Sequence, residues 1–486
     1  MVAPPLSTSP AYTTESWSRG YRSLHAEHDY WIDDIEGTLP AGLKGTLFRN
    51  GPGALDVNGN DYGHPFDGDG MICAISFFGD RVHFRNRFVK TPEYLAEQKA
   101  GKILYRSVFG TQREGGFWNN WFDFKFKNPA NTNVVYQGDK LLALWEADSP
   151  YRLDPATLET LGQEYFDGAL KQGQAFTAHP HIDPDTGDLI AFGVTTGPVS
   201  TIHFYRLDTS GNLAEHTTAT IPGFCFLHDF AITPNYRIFF QNPVSFNPVP
   251  VALGLKPAAS CIELDPKANT RIVVFDRQGK SRTFTTDPGF IFHHANAWED
   301  GDRLVVDSLC YNDYLSLDLN DDFRQVDFDS VPFARLVRYT IDLKTGFVSS
   351  SVIVDRPCEF PTQHPAYVGK RQQFTYVGCS HEPDSNAPLQ GVMKVNMETG
   401  AQEIRSFASA GYLGGDPVFV PRPDGVAEDD GWLLLLIFDS ECDRTDIVIL
   451  DAQNISVEPQ AVLHLKHHVP YGLHGTFTPE VFEKSS

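Results

Sequence analysis

No apolar run in this chain of 486 residues is long enough to cross a bilayer. The longest, WLLLLIF (432–438), has seven residues, where about 20 are needed; it reads as a buried strand. Cysteine is sparse and dispersed. The seven cysteines (73, 225, 261, 310, 358, 379 and 442) form no Cys-x-x-Cys pair, so neither a disulfide framework nor a thiolate zinc site is indicated, and reduced thiols of a cytosolic protein are expected. Positive charge is short as well. With 39 Lys and Arg against 62 Asp and Glu, the formal net charge is −23. That argues against a nucleic-acid partner and disfavours an anionic membrane surface, so any membrane contact has to come from local apolar insertion. The first twenty residues show neither a basic n-region nor an apolar h-region, and no secretory signal is expected. Long amphipathic helix patterns are scarce; AEQKAGKIL (96–104) is one of few helix candidates.

Phenylalanine, by contrast, is abundant at 36 residues. Rigid apolar rings suit the lining of a greasy cavity and equally the interior of a thick all-β core. Residues 1–20, rich in Pro, Ser and Thr, read as a loose arm, and 21–486 as one domain. Within it short β-branched and aromatic runs alternate with Gly, Asp, Asn and Pro turns. QGDKLLALWE (137–146), TGDLIAFGV (186–194), DGDRLVVDSL (300–309) and DDGWLLLLIF (429–438) each set a glycine turn before an apolar strand. GVMKVNMETG followed by AQEIRSF reads as a hairpin. Repeated four-strand units point to an all-β propeller of roughly five to eight blades, with a pair of β-sandwiches as the structural alternative.

The segment FIFHHANAWED (290–300) is apolar yet carries two adjacent histidines. In a strand, successive side chains face opposite sides, so His293 and His294 point different ways and one faces something enclosed. His179, His228 and His474 lie in comparable settings, separated from one another and from His293 by 49, 65 and 181 residues. No local metal motif has such spacing. A propeller could bring them together, because the innermost strands of distant blades approach one axis. Spacing alone does not select these four from seventeen histidines, and each is equally readable as a buried, hydrogen-bonded side chain.

Nine motifs, in order over nearly the whole chain, resemble those of the carotenoid cleavage oxygenase family: LFRNGPG (47–53), HPFDGDGM (64–71), ANTNVVY (130–136), FLHDFAIT (226–233), FHHANAWE (292–299), EFPTQHP (359–365), PVFVPRP (417–423), AEDDGW (427–432) and VPYGLHG (469–475). The similarity is strongest to the family's cyanobacterial apocarotenoid-cleaving members. The resemblance implies a seven-bladed β-propeller with a cap of loops and short helices over its top face. It implies one Fe(II) per chain on the axis, held by His179, His228, His293 and His474, with His294 left to packing. Glu146 is expected to hold His228, and Glu359 to hold His293. The family's third such glutamate is replaced here by Asp416 in GGDPVFVPRP. Asp416 is one methylene shorter, about 1.5 Å of reach, and is expected to orient His474 directly or through a water. An octahedral ion with four histidine ligands keeps two positions, one for O2, and the resemblance implies that Thr132 lies against the other.

The activity so implied is O2-dependent cleavage of the 15,15′ double bond of an apocarotenal or apocarotenol, giving retinal and a second carbonyl fragment. Four neutral ligands without an acid among them fit O2 chemistry better than hydrolysis. Phe66, Phe109, Trp145, Phe226, Phe292 and Tyr311 are candidates for the substrate tunnel. GGFWNNWFDFKFKN (115–128) places Phe117, Trp118, Trp121, Phe122 and Phe124 among polar residues and reads as an interfacial segment dipping into a membrane surface, or else as a lid packed on the propeller. A monomer, cytoplasmic and peripherally membrane-associated, is expected. Two alternatives remain at this point: a stilbene-cleaving dioxygenase of the same fold, with Tyr94 and Lys127 as possible phenol ligands, and a propeller scaffold without catalysis.

Overall fold

The computed structural model describes residues 11–314, 322–384, 386 and 388–483. Seven antiparallel sheets of four to six strands form the blades of a β-propeller. We number them along the chain from the sheet of Lys44–Ala54, blade 1, to that of Gly431–Asp439, blade 7. The glycine turns do what their spacing predicts. Gln137 pairs with Lys140, so Gly138 and Asp139 alone form the loop, at φ 53° and 61°. Two left-handed residues in succession match the twist of the strands they join.

Strands this apolar are stable only when covered on both faces. Neighbouring blades supply the cover. Seven hydrophobic clusters fill the seven interfaces between consecutive blades, among them Phe48, Ile72 and Leu141 between blades 1 and 2, and Tyr376, Leu433 and Leu435 between blades 6 and 7. The expected buried strand 432–438 lies within Gly431–Asp439, where every side chain from Trp432 to Phe438 is buried. The ring is closed twice. The C-terminal strand Gly475–Thr478 pairs with Lys44–Ala54 in blade 1, while the N-terminal strand Ile35–Gly37 pairs with Ala461–His464 in blade 7. Closure therefore fixes the innermost strand of blade 1, which follows directly on His474.

The helix expected at 96–104 runs instead over Pro92–Ala100. Thr91 caps it by accepting from the Tyr94 amide, Pro92 occupies the first turn, and Gly101 stops it in the left-handed region at φ 62°. Of the N-terminal arm, 1–10 lie outside the described residues. Beyond them the chain is not loose. Thr14–Ser18 is a short capped helix whose Trp17 is buried against Tyr21, Phe328 and Tyr471. Apolar burial of one tryptophan outweighs the polar composition around it.

The cap over the blades includes Phe117–Asn120 and Pro248–Ala252. Arg106, fully buried, ties these segments together: its guanidinium donates to the carbonyls of Asn120, Asp123, Val251 and Lys256 at 2.7–3.2 Å. Around this anchor Trp118 (79% exposed), Trp121, Phe122 and Phe124 stand out into solvent, with Phe117 half-buried and Val249 and Leu255 exposed beside them. The rings touch one another more than the propeller. No helix among the described residues is long and apolar enough to cross a membrane.

Candidate metal centre

Each blade delivers one side chain to the axis, at or just before its innermost strand: Thr132, His179, His228, His293, Glu359, Asp416 and His474, from blades 2 to 7 and finally blade 1. The sequence brings the four histidines together as expected. One ring nitrogen from each lies within 4.8 Å of all the others. His179 Nε2 stands 2.9 Å from His228 Nε2, close to the ~3.0 Å that separates adjacent ligands held about 2.1 Å from one ion at right angles.

Three of the rings are oriented by carboxylates. Nδ1 of His228 donates to Glu146 (3.0 Å), that of His293 to Glu359 (2.7 Å) and that of His474 to Asp416 (3.1 Å). Asp416 thus reaches its histidine directly despite its shorter side chain. Among the described residues, no carboxylate is bonded to His179. Once Nδ1 carries the shared proton, Nε2 has only a lone pair to offer, and it faces the axis. His293 Nε2 is buried there with no hydrogen-bond partner among the described residues, a polar atom that a bound ligand would satisfy. Burial pushes the three carboxyls up, but their bonded partners outweigh it: the His228 ring holds Glu146, the His293 ring holds Glu359, and the Arg49 guanidinium with the His474 ring holds Asp416 below the ordinary carboxylate range. His179 is pushed well down, first by burial and then by the other three rings. Ring nitrogens converging on the axis, with carboxylates behind three of them, are what a cation requires, and these residues fit one.

Local irregularity places the donors. Strand Phe290–Asp300 shifts register on both sides of His294, so the pattern is not simple alternation. Both histidines are buried. Asp229, from the neighbouring blade, accepts the His294 amide at 2.8 Å across this irregularity, while the His294 ring bonds Ser308 within its own blade at 2.7 Å. His293 is thereby left to face the axis. Asn296 and Glu299, from the same segment, tie blades together: Asn296 donates to the carbonyls of Tyr367 and Lys370, and Glu299 accepts from Thr233 and Asn235. Phe360 sits at φ 58°, a strained value for an aromatic residue. That turn lets Glu359 accept from the Phe360 amide (2.5 Å), Tyr311 hydroxyl (3.0 Å) and His293 together, and sets the Phe360 ring against His293 and His474.

His228, His293 and His474 face a cavity of about 310 Å³. All six aromatic candidates, Phe66, Phe109, Trp145, Phe226, Phe292 and Tyr311, line it, as does Thr132, whose hydroxyl lies 3.5 Å from Glu146. Sequence reasoning missed Phe360 and the wall built by Trp17, Tyr21 and Tyr471; composition hid the latter, since the arm reads as polar. It missed Arg49 too, although an arginine inside LFRNGPG is a signal. Tyr94 and Lys127 do not line the cavity. Tyr94 stacks on Phe88, and Lys127 is fully buried against Asp69 and Glu97.

His64 supports the cavity wall. Its Nδ1 accepts the Phe66 amide at 3.1 Å and its ring stacks on Phe109. Burial pushes this imidazole down to about 3. The folded state keeps it neutral while the unfolded chain takes up a proton near pH 6.5, so its contribution is complete above that pH and is lost as pH falls toward 3. His467, pushed down to about 4 by burial, adds in the same direction. Melting temperatures measured from pH 7.5 to 5 are expected to fall, and less steeply in His64→Asn, which retains an acceptor without the titration. An unchanged slope would remove His64 from this account.

Comparison with known proteins agrees with the geometry. Residues 21–479 match the family model described as retinal pigment epithelial membrane protein. The chain is 46% identical to the apocarotenoid-15,15′-oxygenase of Synechocystis, over 98% of this chain and 99% of that one. It is 31% identical to carotenoid 9,10(9′,10′)-cleavage dioxygenase 1 of Arabidopsis thaliana, over 92% and 86%. The crystal structure of cobalt-substituted Synechocystis apocarotenoid oxygenase superimposes with a TM-score of 0.94 at 46% identity, covering 97% of this chain and 100% of the other. By sequence and by architecture, the chain belongs to the retinal pigment epithelial membrane protein family, that of the carotenoid oxygenases.

Proposed function

We propose that this protein is an iron(II)-dependent carotenoid cleavage dioxygenase that cuts apocarotenals or apocarotenols at the 15,15′ double bond. The observation that carries the reading is the convergence of four imidazoles at one wall of an aromatic cavity; the name of the Synechocystis relative supports the bond and the substrate class. Iron(II) held by His179, His228, His293 and His474 would supply a binding position and electrons for O2, and the net reaction places one oxygen atom on each carbon of the broken double bond, giving two carbonyl products.

The protein's part is placement. Glu146, Glu359 and Asp416 keep three ligand tautomers fixed and bring negative charge to the centre. The carboxylates at the cavity wall, Glu146 and Glu359, are engaged by His228 and His293, so the cavity would choose the bond by position. The faces of Trp145, Phe226 and Phe292 would stabilise positive charge developing on the polyene, and their apolar surfaces exclude water. Thr132 shapes the space between Glu146 and the cavity. The ring of blades closes within one chain, which supports action as a monomer.

Purified iron-loaded protein, incubated in air with β-apo-8′-carotenal and separately with 4-hydroxystilbene, is expected to release retinal from the first, identified by HPLC. An aromatic aldehyde from the second alone would overturn the substrate class. Absence of metal from the protein would leave the scaffold reading instead.

A substrate this apolar resides in membranes, and the exposed patch of Trp118, Trp121, Phe122 and Phe124, with Phe117 at its edge, suits insertion among acyl chains. Replacing Trp118 and Trp121 by serine is expected to reduce co-sedimentation with neutral liposomes at least several-fold while leaving melting unchanged. Undiminished binding would assign the patch another role.

A further inference from the structure

Arg49 points from strand Lys44–Ala54 of blade 1 into the gap between the segments that carry Asp416 and His474. It is almost fully buried. Nη1 donates to the Asp416 carboxylate and, at 2.8 Å, to the Asp416 carbonyl; Nη2 donates to the Leu473 carbonyl at 3.2 Å. The Asp416 amide reaches the same Leu473 carbonyl at 2.9 Å. One guanidinium therefore fastens the carboxylate, its backbone and the residue preceding the imidazole. Glycines clear its path. A Cβ at Gly475, the residue paired with Arg49 across the sheet, would fall 2.7 Å from Arg49 Cδ, and one at Gly415 would strike Nη2.

We propose that Arg49 is a positioning residue of the metal centre, clamping Asp416 so that a carboxylate one methylene shorter than glutamate still orients His474. This rests on the reading that the four histidines hold a divalent metal. Two physical consequences support it. An unclamped aspartate would satisfy its other oxygen elsewhere, and the reach to His474 Nδ1 leaves no slack at 3.1 Å. Charge also balances. Glu146, Glu359 and Asp416 bring three negative charges to four neutral rings, and Arg49 cancels one. Two remain for a divalent ion in a site with little water to screen an excess.

Cobalt(II) as the probe metal separates this role from a structural one. The wild type, Arg49→Lys, Arg49→Gln, Asp416→Asn and the Arg49→Gln/Asp416→Asn double variant would be loaded with Co2+. The visible ligand-field bands and the rate of extraction by a chelator would then be read at one pH. Arg49→Gln is expected to lose Co2+ at least about tenfold faster, with altered bands as His474 turns away, because partners that orient ligands set affinity by about 10–100-fold. Arg49→Lys keeps charge but not the fork, and should fall between the two. Since Arg49 acts through Asp416, the double variant should release Co2+ no faster than Asp416→Asn alone. Additive losses would reduce Arg49 to a structural strut and overturn the proposal. Wild-type extraction from Arg49→Lys, which decides the matter if Arg49→Gln does not fold, would overturn it as well. A wild-type chain that binds no Co2+ would refute the metal reading underneath.

Discussion

Replacing His293 by alanine is expected to empty the metal site and to reduce cleavage by at least about 10³-fold, more than the ~10–100-fold expected when an orienting carboxylate is changed, as in Glu359→Gln. The ordering follows from what each side chain offers. Glu359 receives three hydrogen bonds, from the His293 ring, the Tyr311 hydroxyl and the Phe360 amide, and glutamine can still accept most of them. No neighbour can replace the lone pair of His293 Nε2. Stability gives an independent check. The His293 ring packs against His179, Phe360 and His474, so deleting it removes that packing with or without metal. Added Co2+ or Fe2+ should raise the melting temperature of the wild type, since a ligand that binds only the folded state stabilises it, and leave His293→Ala unmoved. Metal content, turnover and the two melting curves together decide the matter. Equal stabilisation of both proteins by metal would place the binding site elsewhere.

The architecture was legible because a blade is a local object. Glycine turns before apolar strands mark hairpins that form between sequence neighbours, and Gly138-Asp139 is one such turn. The site was legible in a different way. Nothing in composition or spacing separates His293 from His294, and only motif resemblance chose between them. The structure supplies the physical reason: the register breaks around His294, and Asp229 from another blade holds the irregular strand. Contacts of that kind join residues far apart in sequence and leave no periodic trace. The same holds for Trp17, which lies in a polar segment yet packs against Tyr471 near the opposite end of the chain, and for Arg49, whose partners are Asp416 and Leu473. Strain at Phe360 is invisible for a further reason, since nothing about a phenylalanine announces a positive φ.

Lys127→Met is expected to destabilise the protein by about 3–5 kcal/mol, the usual consequence of removing one partner from a buried ion pair. Lys127 is fully buried, with Nζ 2.6 Å from Asp69, 2.7 Å from Glu97 and 2.6 Å from the Tyr62 hydroxyl. Burial acts to lower its pKa, but the two carboxylates outweigh it and hold the ammonium charged. The cluster pins helix Pro92–Ala100, through Glu97, to blade 1, through Asp69. Lys127 itself precedes the segment that carries Thr132 to the axis. Methionine fills the space of the lysine stem and leaves Asp69 and Glu97 facing each other without a cation. Asp69 is already pushed above its ordinary range, by burial first, and losing Lys127 raises it further. A carboxyl raised in the folded state binds protons that the unfolded chain releases, so the variant's deficit should grow as pH rises above about 4 and be smaller at pH 5 than at pH 8. Urea unfolding at the two pH values tests this, and equal deficits would mean that the loss is one of packing. Product analysis distinguishes the cluster from a substrate contact. Because Lys127 does not line the cavity, folded Lys127→Met should cleave the same bond as the wild type, whereas a lysine that held a phenolic substrate would change which compounds are cut.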